Sequence, residues 1–253
     1  MFGLKRWRRN RLGHRQFPQE WLSIIEKNVP HVKKLPAADC AELQRHILIF
    51  LGEKHFEGCG GLEITDEIKV TIAAQACILL LHRKTDYYPG LSSILVYPKA
   101  YVARRVEHLP GGVVAEGPEV RLGESWRQGS IVLSWDDVRR GASDIHDGRN
   151  VVFHEFAHQI DSSEGKGDSS KVLQSHSSFI AWARVLQEDY ERLRRDVSCN
   201  RPTVLDWYGA TSPAEFFAVA TESFFEQPRA LEKYHPDLYN ELKQFYRQDP
   251  ARL

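Results

Sequence analysis

Cysteine is scarce and dispersed: Cys40, Cys59, Cys77 and Cys199 show no CxxC spacing, and Cys77 sits inside an apolar run. This excludes a disulfide framework and a thiolate zinc site, and it fits a reducing cytoplasm. Long apolar stretches are missing too. The longest, Ile72 to Leu81, is interrupted by Gln75 and falls well short of the about 20 residues that span a bilayer, so it reads as a buried helix. Net charge is also missing, with 34 basic against 34 acidic residues. No global field therefore points to nucleic acid or an anionic membrane as the main partner. The one local exception is residues 1 to 16, where Lys5, Arg6, Arg8, Arg9, Arg11 and Arg15 meet no acidic residue. That run suits a phosphate-binding arm, a transit peptide or a solvated tail, and terminal charge runs favour the tail. No apolar segment follows it as a secretory signal requires, since Gln16-Phe17-Pro18-Gln19-Glu20 is mostly polar.

What is present is enough for a core: 253 residues, 42% hydrophobic and 11% aromatic. The expected organisation is a flexible basic segment over 1–16 and a single domain over 17–253, with a helical subregion at about 17–85. Trp21, Leu22, Ile24 and Ile25 form one helical cluster and Leu43, Ile47, Leu48 and Leu51 another, separated by Pro30 and Pro36. After the turn at Tyr88-Pro89-Gly90, Ile94 to Tyr97 reads as a strand, and Val102 to Val114 as strand broken by Gly111-Gly112. Gly129 to Trp135 is the clearest strand of all. It precedes a helical stretch, so it is either an ordinary core strand or one that pairs with a substrate backbone by strand addition. Further helices are expected over Phe179 to Leu193, Ser212 to Phe225 and Leu238 to Tyr246. The fold class is α+β.

The segment His154-Glu155-Phe156-Ala157-His158 carries the chemistry. Four residues advance a helix by slightly more than one turn, so His154 and His158 share a face where both can ligate one zinc ion, with Glu155 beside them. Asn150 fits as the N-cap of this helix, and Gly165 and Gly167 fit as its stops. A catalytic zinc keeps one position for water and takes three protein ligands. The third is open between Glu215 and Glu222, seven apart on one side of an apolar helix. Ser212-Pro213-Ala214-Glu215 also matches a capping box, which gives Glu215 a purely structural alternative. Glu222 fits equally well as an acceptor that fixes a histidine tautomer. Glu226 reads as a solvated helix end. Asp161 reads as an orienting group or a helix-end charge, and His146, His176 and His235 as surface or capping histidines.

His154 to Asp161 together with Tyr208 to Ala218 closely resembles the Mlc titration factor A family of bacterial zinc metallopeptidases, along most of the chain. The two motif regions are more distantly similar to the anthrax lethal factor catalytic domain. The resemblance implies a zincin-like fold with a small mixed sheet, one zinc ion held by His154, His158 and Glu215, and Glu155 as catalytic base. It implies Tyr208 as the residue that stabilises the transition state; without it, Tyr208 reads rather as a packing aromatic beside a turn. It further implies aminopeptidase-like activity on peptide substrates in the cytoplasm. A regulatory role is implied as well, capture of the glucose repressor Mlc and so control of the sugar phosphotransferase system. The alternative is a mainly regulatory protein in which catalysis is secondary.

Overall fold

In the computed structural model of the protein, residues 3–99, 129–162 and 180–253 are described in full, and residues 2, 101–109, 113–121, 123–126, 163–164 and 176–179 by their backbone. The architecture is α+β, mostly helical around a small sheet. Helices α1 (Phe2–Gly13), α2 (Gln19–Asn28) and α3 (Ala37–Glu53) lead into strand β1 (His55–Gly58), and α4 (Asp66–Ile78) follows. Then come β2 (Ser93–Tyr97), β3 (Tyr101–Leu109), β4 (Val113–Arg121), β5 (Gly123–Trp126) and β6 (Ser130–Ser134). The rest is helical: α5 (Trp135–Ser143), α6 (Val151–Glu164), α7 (His176–Ser198), α8 (Pro213–Glu226), α9 (Pro228–Tyr234) and α10 (Pro236–Tyr246).

The sheet has the order β1-β2-β6-β5. Its first three strands run parallel, with Ser93 opposite Ser130, while β5 runs antiparallel to β6 with Gly123 opposite Leu133. β3 and β4 form a separate antiparallel ribbon. β6 is thus interior, and both of its backbone edges are taken. Strand addition at Ser130 to Trp135 is therefore ruled out, because no row of amide and carbonyl groups is left there to pair with a peptide. The strand also ends one residue earlier than expected. Ser134 caps α5 by accepting the Asp137 N–H, and Trp135 is already helical.

The apolar run seen in sequence begins in α4, whose residues from Ile68 to Ile78 are all buried except Lys69, and its last three residues, Leu79 to Leu81, are buried in the turn that follows the helix. Thr65 caps the helix, accepting the Ile68 N–H. Aromatic side chains then connect the layers. Phe50 of α3 stands edge-on or tilted to Phe56, Tyr88 and Phe156, with ring centroids 6.4, 6.1 and 5.7 Å away. At the other end Trp182 of α7 stacks on Phe245 of α10 at 4.8 Å. The stretch 17–85 is not helical throughout, because β1 leaves it to join the sheet.

The basic N-terminal segment also departs from its expected form. Residues 2–13 are helix α1, seated on α3, where Gly52 allows close approach: a Cβ there would lie 2.7 Å from Leu12 Cδ1. Arg9 makes two bonds to the Glu53 carboxylate, at 2.7 and 2.8 Å, and reaches Asp86 as well, with its side chain only 14% exposed. Charge counting along the chain missed this because both acidic partners are distant in sequence. The expected stops of α6 at Gly165 and Gly167 lie outside the described residues.

Phe50 is completely buried and touches aromatic groups from three segments. Replacing it by Ala should lower unfolding stability by about 3–5 kcal/mol. A urea titration followed by circular dichroism measures this; a midpoint equal to that of the wild type would mean that this contact set does not hold the layers together.

Candidate metal centre

Two helices build the site. The first turn of α6 is capped by Asn150, whose Oδ1 accepts the N–H groups of Val152 and Phe153 at 3.1 and 3.0 Å. The same side chain donates to Gln75 Oε1 of α4 and to the Gly141 carbonyl. The cap expected from sequence is thus also a buried joint between α4, α5 and α6. α8 starts at Ser212, whose hydroxyl accepts the Glu215 N–H at 3.2 Å. This is half of a capping box. The other half is not used in the expected way, because the Glu215 carboxylate faces α6 instead.

Glu215 Oε2 lies 2.9 Å from His154 Nε2 and 3.3 Å from His158 Nε2, and the two imidazole nitrogens are 3.2 Å apart. These three atoms are the group among the described residues that could hold a metal ion. Ligands about 2.0–2.1 Å from a tetrahedral zinc ion stand roughly 3.3 Å from one another, so the spacing fits. The hydrogen-bond chemistry points the same way. Glu222 Oε1 takes the His154 Nδ1–H at 2.5 Å, which leaves Nε2 of the neutral ring as a bare lone pair. That lone pair faces a carboxylate oxygen and a second imidazole nitrogen, so only a proton or a metal cation can reconcile the three.

With no metal bound, the proton takes that place. Burial works against a charged His154, but the bonds to Glu215 and Glu222 outweigh it and push the ring up to about 10. Burial likewise opposes a charged Glu215, and the His154 and His158 bonds overcome it and bring the carboxyl down to about 2. The structure therefore separates the two glutamates that sequence left level. Glu215 faces both imidazoles, whereas Glu222 lies behind His154, its other oxygen accepting the Asn150 N–H at 2.7 Å. Burial pushes the Glu222 carboxyl above its usual range, against the pull of those two bonds.

Glu155 follows His154 on α6 and is 5% exposed. Tyr208 comes from a short 3-10 turn, Trp207–Ala210; it is 43% exposed and its ring centroid is 6.0 Å from that of His154. The tyrosine thus stands beside His154 rather than packing in the core. Asp161 is exposed near the end of α6. His235 is buried against Asp189, with Nδ1 at 2.7 Å, and so is not part of the site. His146 and its backbone lie in the exposed turn before α6. The side chain of His176 lies outside the described residues.

Glu226 corrects the sequence reading. It is no solvated end: it is 1% exposed, and neither carboxyl oxygen has a hydrogen-bond partner in good geometry. Burial pushes it up to about 9; nearby Asn150 offsets part of this and Glu222 adds to it. It is therefore neutral at neutral pH. Its position in the last turn of α8 suggested exposure, but the turn that leads into α6 packs against it and brings Asp147 and Asn150 beside its carboxyl group.

A metal ion must displace the proton held between His154 and Glu215. Below the raised His154 value, apparent zinc affinity should accordingly rise by about tenfold per pH unit and fall again on acidification. Chelator competition at pH 6, 7 and 8 measures it, and a flat profile would rule out proton displacement. Glu215→Ala should abolish stable metal binding, and Glu222→Ala should weaken it only about 10–100-fold, as expected for a group that orients a ligand. Metal analysis after dialysis gives the order.

With this geometry in place, comparison with known proteins becomes informative. The family model described as glucose-regulated metallo-peptidase M90 matches residues 4–247. An uncharacterised protein of Synechocystis sp. is 39% identical over 245 residues, covering 96% of this chain and 89% of its own. The Mlc titration factor A proteins of Serratia proteamaculans and Klebsiella pneumoniae are 33% and 30% identical, covering 87% and 88% of this chain and 85% and 84% of theirs.

Proposed function

The chain belongs to the glucose-regulated metallopeptidase family M90, and from that premise we propose that it is a zinc-dependent, aminopeptidase-like peptidase with a zincin-like active site. The reading rests on one observation: His154, His158 and Glu215 bring three ligand atoms within 2.9 to 3.3 Å of one another. Two nitrogens and one carboxylate oxygen are the donor set of a catalytic rather than a structural zinc site.

A zinc ion held by His154, His158 and Glu215 would supply Lewis-acid chemistry there, lowering the pKa of water to about 7 and polarising a carbonyl. The residues of the chain do the rest. Glu155 accepts the proton of the attacking water and returns it to the leaving amine. The Tyr208 hydroxyl donates to the carbonyl oxygen as negative charge develops on it, a contact that contributes only in the transition state. Glu222 fixes the tautomer and orientation of His154.

The second part of the proposal is regulatory. Relatives that cover most of this chain carry the name Mlc titration factor A, which supports binding of the repressor Mlc and a link to the sugar phosphotransferase system. A protein that only captured a repressor would not need Glu155, so its presence beside the two histidines favours retained catalysis. Four free cysteines support a cytoplasmic setting. No helix among the described residues is long and apolar enough to cross a membrane.

Glu155→Gln should keep its zinc and lose peptide hydrolysis, and Tyr208→Phe should lower kcat by about 10²–10³-fold. A peptide-library digest with metal analysis on wild type and both variants reads these together; unchanged turnover in zinc-loaded Glu155→Gln would sink the mechanism. Capture of the repressor by the same Glu155→Gln protein in a pull-down would show that binding does not require catalysis.

A further inference from the structure

The turn that carries Tyr208 is held from several sides. Asp206 caps it, Oδ1 accepting the Tyr208 N–H at 2.9 Å. Thr211 donates its hydroxyl to the Tyr208 carbonyl at 2.7 Å. Gly209 lets the turn sit directly on α7 and α8: a Cβ there would stand 3.2 Å from both Leu193 Cδ2 and Val219 Cβ. The backbone of this turn is thus fixed while its tyrosine side chain is exposed beside His154.

The second oxygen of Asp206 has a different partner. Arg149 directs both Nε and Nη2 to Asp206 Oδ2, at 3.0 and 2.8 Å. Arg149 is joined to Asn150, the cap of α6, whose backbone N–H is bound by Glu222 and whose side chain is locked to Gln75. Its own N–H is taken by Asp147. The guanidinium therefore extends from a backbone already fixed relative to the two histidines. One dipeptide sets both halves of the site, Asn150 orienting the ligand helix and Arg149 reaching across to the tyrosine turn.

We propose that Arg149 and Asp206 are positioning residues that hold Tyr208 in register with the metal-binding helix. The inference rests on the peptidase reading for its kinetic consequence, but not for the holding itself. A purely stabilising role explains the pair poorly. The Arg149 side chain is 69% exposed, and ion pairs with so exposed a partner add little to fold stability. Placement is another matter, since misplacing a group that acts on the transition state by about 1 Å can cost about 10²-fold in rate.

The test uses the full-length, zinc-loaded protein with Arg149→Ala and Arg149→Lys, each in the wild-type and the Tyr208→Phe background. Hydrogen exchange at residues 207–210 should quicken at least about fivefold in Arg149→Ala, with α6 unchanged and zinc content retained. In peptide hydrolysis, Arg149→Ala should lower kcat by about 10–100-fold with KM within about twofold. Arg149→Lys should recover part of that loss. In the Tyr208→Phe background, Arg149→Ala should bring no further loss, because the residue through which it acts is already disabled. Unchanged exchange at the turn, or an equal kinetic loss in both backgrounds, overturns the proposal. If the wild type cleaves no peptide, the peptidase reading falls, and the exchange measurement alone decides whether Arg149 holds the turn.

Discussion

One buried chain of hydrogen bonds, Gln75 to Asn150 to Glu222 to His154, underlies the arrangement of the site. It begins in the buried helix α4 and ends on an imidazole. Each link is a polar group removed from water, which is costly when unpaired and specific when paired. Because Asn150 uses its amide on α4 and α5, its Oδ1 on α6 and its backbone on α8, none of these helices can slide without breaking a buried bond. The helix carrying two histidines is thereby locked in register to the helix carrying Glu215.

The same crowding creates an electrostatic problem. Glu155, Glu215, Glu222 and Glu226 all belong to two packed helices, and Glu155, Glu222 and Glu226 are buried. Burying several carboxylates together is unfavourable unless each finds compensation. Glu226 is neutral, Glu222 takes two donors, and Glu215 is matched by the imidazoles through a shared cation, either a proton or a metal ion. Such a site suits a divalent ion because the Glu215 carboxylate and the two imidazole nitrogens already converge on one point.

Much of this was legible along the chain. Local signals with a fixed geometry survived with small shifts at their ends: the four-residue spacing of His154 and His158, the caps at Asn150 and Ser212, the buried run that begins in α4, the β-branched strands. Signals that depend on what lies across the fold did not. Residues 1 to 16 looked like a solvated arm because Glu53 and Asp86 are far off in sequence. Ser130 to Trp135 looked available for strand addition because nothing in those residues tells an interior strand from an edge. Glu226 looked solvated because the turn that packs against it, with Asp147 and Asn150, lies far off in sequence.

The shared face of His154 and His158, with Glu155 beside them, was determined by sequence alone, since helical periodicity places them whatever else the protein does. Which of Glu215 and Glu222 faces both imidazoles was decided by tertiary structure. Both lie on one side of α8, and only the depth at which that helix packs on α6 turns one carboxylate toward both Nε2 atoms and the other toward the Nδ1 behind them. The connection from Arg149 to Tyr208 through Asp206 belongs to the same class. It joins residues 57 positions apart, and no local pattern encodes a contact whose distance is set by the packing of whole helices.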